Sequence, residues 1–90
     1  MGRPSEVAIT VLYFARFREK LGVEQEVLAV PTPATAADLT VLLAARGGPW
    51  QDIFACEAGV MVAINEQMAS RDAAVQDGDT IAFFPPVTGG

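Results

Sequence analysis

The residues of this chain best suited to chemistry form its last segment, Phe83-Phe84-Pro85-Pro86-Val87-Thr88-Gly89-Gly90. Proline has no N–H and a fixed φ, so Pro85 and Pro86 are expected to leave a β-ladder and to direct the chain outward. Glycine has no Cβ, so Gly89-Gly90 is the slimmest backbone that a chain can offer. We therefore expect the α-carboxylate of Gly90 to be the working group, presented on a flexible tail over residues 86–90.

The length of this tail suits a deep and narrow pocket on another protein. From Pro86 to Gly90 an extended chain spans roughly 15 Å. The alternative interpretation is an ordinary frayed end, since chain termini are commonly disordered and rich in small residues. The abrupt change from an apolar strand to two prolines favours a functional tail, because a frayed end usually begins in a polar linker.

The composition predicts one small globular domain over residues 1–90. Hydrophobic residues make up 51% of the 90 residues and charged residues 19%, which is typical of a folded chain. No apolar run approaches the ~20 residues that span a bilayer, so we expect no membrane association. The first residues lack the layout of a signal peptide, and the expected compartment is the cytoplasm.

The charge and the absent residue types exclude several classes of function. The formal net charge is −5 with six scattered basic residues, which disfavours nucleic-acid binding and suits a basic protein partner. There is no histidine, so the commonest general base and metal ligand are both missing. Cys56 therefore has no histidine base, and we expect a buried thiol and not an independent enzyme. Asp77 and Asp79 flank a glycine and predict a turn, so no metal site is expected.

The pattern of apolar residues predicts the elements that carry the tail. We expect these strands and helices in chain order: a strand over Val7–Phe14, a helix over Ala15–Leu21, a strand over Glu24–Val30, a helix from Ala36 with Thr35 as its cap, a helical turn within Trp50–Glu57, and strands over Val60–Ile64, Gln67–Ala69 and Thr80–Phe84. In the first strand, Ile9, Val11 and Tyr13 are expected to line one face. The strand over Val60–Ile64 is expected to be central, and residues 73–75 to be a loop or a single turn. The apolar stripe of the main helix is expected to consist of Leu39, Leu42 and Leu43. This order predicts an α+β fold, a roll of about five mixed strands with one main helix across one face.

One helix covers only one face of such a sheet. Alternation along the last strand places Phe83 and Phe84 on opposite faces, with Phe83 in the core. Phe84, Phe14 and Met68 then lie on the uncovered face and form an apolar interaction surface. The alternative is that the segment Trp50–Phe54 folds over them.

Several stretches of this chain resemble the ubiquitin-like sulfur-carrier family that includes the small subunits of molybdopterin synthase. The resemblance runs from Val7 to Gly90 and is carried by these stretches: Val11–Glu19, Val62–Asn65, Asp77–Asp79 and Ala82–Gly90. A Gly-Gly end alone is weak evidence. The ending Phe-Phe-Pro-Pro-Val-Thr-Gly-Gly at this chain length is a specific motif.

The resemblance implies a β-grasp fold and a sulfur-carrier function in molybdenum cofactor biosynthesis. An E1-like adenylating enzyme would activate the terminal carboxylate with ATP, and a sulfur donor such as a cysteine desulfurase or a rhodanese would convert it to a thiocarboxylate. The large subunit of molybdopterin synthase, in a heterotetramer, would then transfer the sulfur to cyclic pyranopterin monophosphate. The chain itself would be a non-catalytic subunit of this sulfurtransferase, with no permanently bound cofactor.

The resemblance also assigns roles to individual residues. Gly90 would carry the sulfur, and Gly89 would be its slim neighbour. Residues at three positions match the family's apolar docking patch, and four more form the tail that the partner would grip: Phe14, Met68 and Phe84, then Pro85, Pro86, Val87 and Thr88. Methionine stands at 68 where we expect leucine, and it is a flexible apolar substitute.

Two related functions remain alternatives. Carriers for thiamine or cysteine biosynthesis share the fold and the Gly-Gly end, and the Phe-Phe-Pro-Pro sequence favours the molybdopterin branch. A ubiquitin-like protein modifier is the other alternative. Lys20 is the only lysine, which would restrict the formation of chains of this protein but not the modification of other targets.

Overall fold

The computed structural model describes residues 6–55 and 59–86, as seven strands and three helices. The elements follow in this order: β1 Glu6–Tyr13, α1 Ala15–Leu21, β2 Gln25–Pro31, β3 Ala34–Thr35, α2 Ala36–Ala44, α3 Pro49–Phe54, β4 Met61–Ile64, β5 Gln67–Met68, β6 Ala74–Val75 and β7 Thr80–Phe84. The predicted α+β class and the five-stranded mixed sheet are confirmed. No helix among the described residues is long and apolar enough to cross a membrane.

The main sheet has the strand order β2-β1-β7-β4-β5. β1 and β7 are parallel, and the other neighbours are antiparallel. The last strand, β7, is therefore the central one, and the prediction that the strand at residues 60–64 is central was wrong. β1 and β7 are far apart in the sequence, and parallel strands need a long crossover connection between them. The local alternation of apolar residues does not show which distant strand will be the neighbour.

A second small sheet pairs β3 with β6, through Ala34 with Val75 and Thr35 with Ala74. The prediction of a loop or a single turn at residues 73–75 was therefore wrong at Ala74 and Val75. A two-residue strand has no period to detect. Its pairing comes from the tertiary fold, which also buries Val75.

The core lies between the sheet and the helices, and strand alternation supplies most of it. Ile9, Val11 and Tyr13 of β1 point into it together with Ile81 and Phe83 of β7, and each is at most 1% exposed. This confirms that Ile9, Val11 and Tyr13 share one face of β1 and that Phe83 is buried.

Helix α2 begins as the sequence predicts. The Thr35 hydroxyl oxygen accepts from the Asp38 N–H at 3.3 Å, and Asp38 Oδ2 accepts from the Thr35 N–H at 2.9 Å. This reciprocal capping satisfies two of the N–H groups that a helix start leaves unpaired.

The buried side of α2 differs from the predicted stripe. Leu39 and Leu43 are buried as expected, but Leu42 is 43% exposed. The other two buried residues of α2 are Ala36 and Thr40. They lie on the same helix face as Leu39 and Leu43, because residues three or four positions apart share a face. The Thr40 hydroxyl donates to the Ala37 carbonyl at 2.7 Å, so the polar group is paired.

Helix α3 packs on the same side of the sheet as α2. Ile53 and Phe54 are buried, and the Phe54 ring meets the Phe83 ring edge-on at 5.2 Å between centroids. The segment around Trp50 therefore does not fold over Phe14 and Phe84, which settles that alternative. No helix among residues 6–55 and 59–86 covers the opposite face of the sheet.

Candidate functional site

The register of the strands defines the uncovered face. Leu12 of β1 pairs with Ala82 of β7, Ala82 pairs with Ala63 of β4, and Ala63 pairs with Met68 of β5. Paired residues point to the same side of a sheet. An apolar row therefore crosses four strands on the side away from the helices, and we call this side the open face.

Phe14 and Phe84 lie at the end of the open face where the tail begins. β1 and β7 are parallel, and Tyr13 pairs with Phe83. The next residue of each strand, Phe14 and Phe84, therefore lies at the same end of the sheet. The Phe14 N–H donates to the Phe83 carbonyl at 3.2 Å, which holds the two strand ends together. The Phe14 side chain is 44% exposed, and that of Phe84 is half-buried. The predicted outward positions of both rings are confirmed.

The two rings line an open groove of about 520 Å³ on this face. Its other lining residues are small or apolar in the middle and polar at the far end: Leu12, Ala63, Asn65, Glu66, Thr80 and Ala82. Among the described residues, Glu66 is the one charged side chain along the groove. The groove therefore offers an apolar binding surface beside the start of the tail, and it has a negative charge at its opposite end.

Met68 lies on the same face but outside the groove. It is 60% exposed on the edge strand β5, opposite Ala63, which does line the groove. The structure thus brings Phe14 and Phe84 together and places Met68 at the border of the same apolar surface.

Two further apolar residues of the open face were not predicted. Met61 is 36% exposed and pairs directly with Phe84, and Val27 is 71% exposed and pairs with Thr10. A strand assumed to be central gives no reason to expect exposure at Met61. The signal was present all the same, since Met61 directly precedes the inward-facing Val62 and must therefore point to the other face of the sheet.

A partly buried polar network fixes β1, the strand that leads into Phe14. The Tyr13 hydroxyl donates to Glu26 Oε2 at 2.6 Å, and Arg46 donates to both Glu26 carboxylate oxygens at 2.9 and 3.0 Å. The Arg46 guanidinium also lies over the Trp50 ring, 4.3 Å from its centroid. This network joins β1, β2 and the segment after α2, and it was not predicted because its members are far apart in sequence.

Burial and the hydrogen bonds of this network shift the pKa values of Tyr13, Glu26 and Arg46. Burial, with the hydrogen bond to the Glu26 carboxylate, raises the pKa of Tyr13 far above its ordinary value. Partial burial acts to raise the pKa of Glu26, but the hydrogen bonds from Arg46 and Tyr13 outweigh it and hold that pKa below its ordinary value. The hydrogen bonds to Glu26 raise the pKa of Arg46. Tyr13 thus stays neutral while Glu26 and Arg46 stay charged.

Ala15 turns the chain from β1 into α1 with a φ of 55°, a value that residues with a Cβ seldom adopt. The turn separates two aromatic side chains that are three residues apart. Phe14 remains on the outside, whereas Phe17 is buried. The Phe17 N–H donates to the Phe14 carbonyl at 3.1 Å, which closes this turn.

The acidic turn before β7 has a structural role. Asp79 accepts hydrogen bonds from the Asn65 amide at 3.0 Å and from the Gln76 N–H at 2.8 Å, and Asp77 accepts from the Ala8 N–H at 2.8 Å. No cluster of potential metal ligands occurs in the described part of the chain. These carboxylates hold the β4–β5 and β6–β7 connections at the end of the sheet opposite the tail.

The start of the tail is described, and its tip is not. Pro85 and Pro86 follow the last residue of β7 and are half-buried outside the ladder, as predicted from their missing N–H groups. The remaining predicted tail residues lie outside the described residues: Val87, Thr88, Gly89 and Gly90. The same is true of Cys56.

Comparison with known proteins places this chain among sulfur carriers. The model of the ThiS family matches residues 11–90. The molybdopterin synthase sulfur carrier subunit of Haemophilus influenzae is 45% identical over 83 residues, which cover 91% of this chain and 99% of that protein. The subunit of the same name from Escherichia coli is 41% identical with the same coverage.

A solved structure shows the same fold. It is described as a molybdopterin converting factor, subunit 1, from Pyrococcus furiosus, and it is 31% identical to this chain with a TM-score of 0.75. The similarity covers 90% of this chain and 99% of that one. The β-grasp fold that the sequence resemblance implied is thereby confirmed.

Proposed function

This chain belongs to the ThiS family, and on that premise we propose that it is the sulfur carrier subunit of a molybdopterin synthase. The observation that carries the proposal is the position of Phe14 and Phe84. Both rings line an apolar groove on the open face, at the edge where Pro85 and Pro86 leave the sheet. A partner seated on this groove receives the tail at the same time.

The chemistry takes place at the Gly90 carboxylate. A carboxylate is a poor acceptor for a sulfur nucleophile until one oxygen becomes part of a leaving group. An E1-like enzyme supplies that group by transferring AMP from ATP to the carboxylate, with release of pyrophosphate. The terminal sulfur of a persulfide on a donor such as a cysteine desulfurase or a rhodanese then displaces AMP and forms an acyl disulfide. A thiol cleaves the S–S bond, which leaves the C-terminal thiocarboxylate and a disulfide on the donor side.

The large subunit of molybdopterin synthase consumes the thiocarboxylate. The tail places the sulfur beside cyclic pyranopterin monophosphate, and the sulfur becomes part of the dithiolene of molybdopterin. Water cleaves the acyl–sulfur bond during the transfer, so the sulfur stays on the pterin and the Gly90 carboxylate is restored for another cycle. The carrier is thus the sulfur-donating subunit of a sulfurtransferase whose catalytic groups lie on the partner.

The same chain must leave one active site and enter another. An open face that is apolar at its centre supplies contact area for a transient complex. Its docking residues are exposed or half-buried in the free protein, so docking needs no rearrangement of the core. A slim Gly89-Gly90 end can enter two pockets of different shape. We assign docking to Phe14, Phe84 and Met68, and we assign the passage into the pocket to Pro85, Pro86, Val87 and Thr88.

The proposed assembly with the large subunit is a cytoplasmic heterotetramer. No cofactor resides permanently on the carrier, and ATP belongs to the adenylating enzyme. The relatives at 41% and 45% identity bear the name of the molybdopterin synthase subunit, which supports this branch over carriers for thiamine or cysteine biosynthesis and over a protein modifier.

Co-expression with the adenylating enzyme and a sulfur donor tests the proposal. We expect the intact mass of the carrier to rise by the difference between sulfur and oxygen. The purified thiocarboxylate, mixed with the large subunit and cyclic pyranopterin monophosphate, should yield molybdopterin. A carrier that acquires sulfur but supports only thiazole or cysteine formation would contradict the proposed branch.

A further inference from the structure

Two of the three methionines of this chain lie on the open face. Met68 is 60% exposed on the edge strand, and Met61 is 36% exposed and pairs with Phe84. The third, Met1, lies outside the described residues. The thioethers of Met61 and Met68 therefore border the proposed docking surface and are open to solvent in the free carrier.

We propose that Met61 and Met68 are oxidation sites through which peroxide switches off docking to the large subunit. In each reaction the thioether sulfur takes one oxygen atom from hydrogen peroxide. The O–O bond breaks, the sulfur loses two electrons, and the rest of the peroxide leaves as water. The inference rests on the proposed function, since it concerns the surface that docks.

The consequence of this oxidation follows from the polarity of a sulfoxide. Methionine is a flexible apolar side chain that adapts to a partner surface, and its sulfoxide is polar and carries a strong hydrogen-bond acceptor. On the open face the neighbours of Met61 and Met68 include Phe84 and Ala63, which offer no side-chain donor. A partner that covers this surface would bury the sulfoxide oxygen without a hydrogen bond.

The fold should survive the modification. Neither methionine belongs to the buried core cluster, so the oxygen atoms are added on the solvent side of the sheet. The free carrier keeps its core and loses only the apolar character of its surface. The change is reversible, because methionine sulfoxide is reduced by the two methionine sulfoxide reductases, one for each epimer.

The rates at the two sites should differ. The larger exposed fraction of Met68 predicts faster oxidation there than at Met61, and peptide mapping over a time course measures the order. Binding of the large subunit should protect both sites, because it covers the open face. Unchanged oxidation rates at both methionines in the complex would show that they lie away from the docking surface.

The binding experiment uses the carrier with its ordinary Gly90 carboxylate, so that no thiocarboxylate reacts with peroxide. All variants carry Cys56→Ala, which removes the thiol. One sample keeps both methionines, and its matched control carries Met61→Leu with Met68→Leu and retains Met1. Each protein is treated with hydrogen peroxide, freed of it with catalase, and titrated with the untreated large subunit by calorimetry.

Each treated protein is compared with its own untreated sample, so any effect of the substitutions themselves cancels. We expect oxidation to weaken binding of the two-methionine carrier by about tenfold or more, the effect of burying an unpaired polar group in an interface. The leucine variant should change by less than about twofold, and the reductases should restore binding of the two-methionine carrier.

Equal affinity before and after oxidation at both sites would overturn the inference. So would an equal loss in the leucine variant, because the loss would then arise elsewhere. A failure of the untreated carrier to bind is a different result, which would contradict the proposed function and not the chemistry of the methionines.

Discussion

Phe83 and Phe84 are adjacent in β7 and lie on opposite faces of the sheet. Phe83 is fully buried, with the Phe54 ring edge-on against it, whereas Phe84 is half-buried in the groove of the open face. Phenylalanine thus has a different role at each of these two successive positions. One ring supports the fold, and the other is available to a partner.

Alanine at each of these positions should separate the two roles. Phe83→Ala should lower the free energy of unfolding by about 3–5 kcal/mol, the range for a buried phenylalanine. Phe84→Ala should cost little stability but should weaken binding to the large subunit. Denaturant unfolding and calorimetric titration measure the two effects. Equal destabilisation by both changes would show that the faces are wrongly assigned.

Met68 and Val41 allow a matched test of the open face. They are 60% and 69% exposed, but Met68 lies on the edge strand of the open face and Val41 on α2, on the other side of the sheet. Met68→Asp should weaken binding to the large subunit by about tenfold or more, because it places a charge at the apolar interface. Val41→Asp adds the same charge and should leave the affinity unchanged. A similar loss from both changes would mean that net charge, and not this face, controls docking.

The network around Glu26 predicts a pH dependence of stability. Its folded-state pKa lies below the ordinary value, so its contribution is present above the unfolded-state pKa of about 4.3 and is lost as the pH falls through the folded-state pKa. Glu26→Gln should therefore be less stable than the wild type at neutral pH, and the difference should shrink below about pH 4.3. Urea unfolding across this range measures it. Glu24→Gln is the control, since Glu24 is exposed, and an equal pH response in both variants would contradict the role of the network.

Gly89 tests whether the tail enters a narrow pocket. If a slim backbone is required, then a side chain at this position should block sulfur transfer in proportion to its bulk, with a steep loss from Gly to Ala to Val. Binding should weaken less, because Phe14 and Phe84 dock away from the tip. The measurement is single-turnover transfer from pre-formed thiocarboxylates, which bypasses the adenylating enzyme. A flat series would exclude the narrow pocket and leave only a requirement for flexibility.

The sequence predicts the local parts of this structure well. The alternation of Ile9, Val11 and Tyr13 marks the inward face of β1, and Thr35 with Asp38 marks the start of α2. These features depend on neighbouring residues, so their spacing carries the information. The outward positions of Phe14 and Phe84 follow from the same alternation.

The parts that the sequence does not predict depend on distant contacts. β6 exists because Ala74 and Val75 meet β3, and β7 is central because it runs parallel to β1. The Glu26 to Arg46 ion pair joins residues twenty positions apart. Leu42 has the same side chain as Leu39 and Leu43. It is exposed because of the way the helix is rotated about its axis when it packs on the sheet.

Sulfur transfer by this carrier requires a free Gly90 carboxylate at the end of the chain, and a one-residue extension probes that requirement. The carrier ending at Gly90 and a variant with one alanine added after it are each co-expressed with the adenylating enzyme and the sulfur donor, then mixed with the large subunit and cyclic pyranopterin monophosphate. Both proteins should unfold at the same denaturant concentration, because the addition lies beyond the strands and helices. We predict that only the chain ending at Gly90 supports molybdopterin formation. Molybdopterin formation by the extended carrier, with the added alanine still in place by intact mass, would contradict the account.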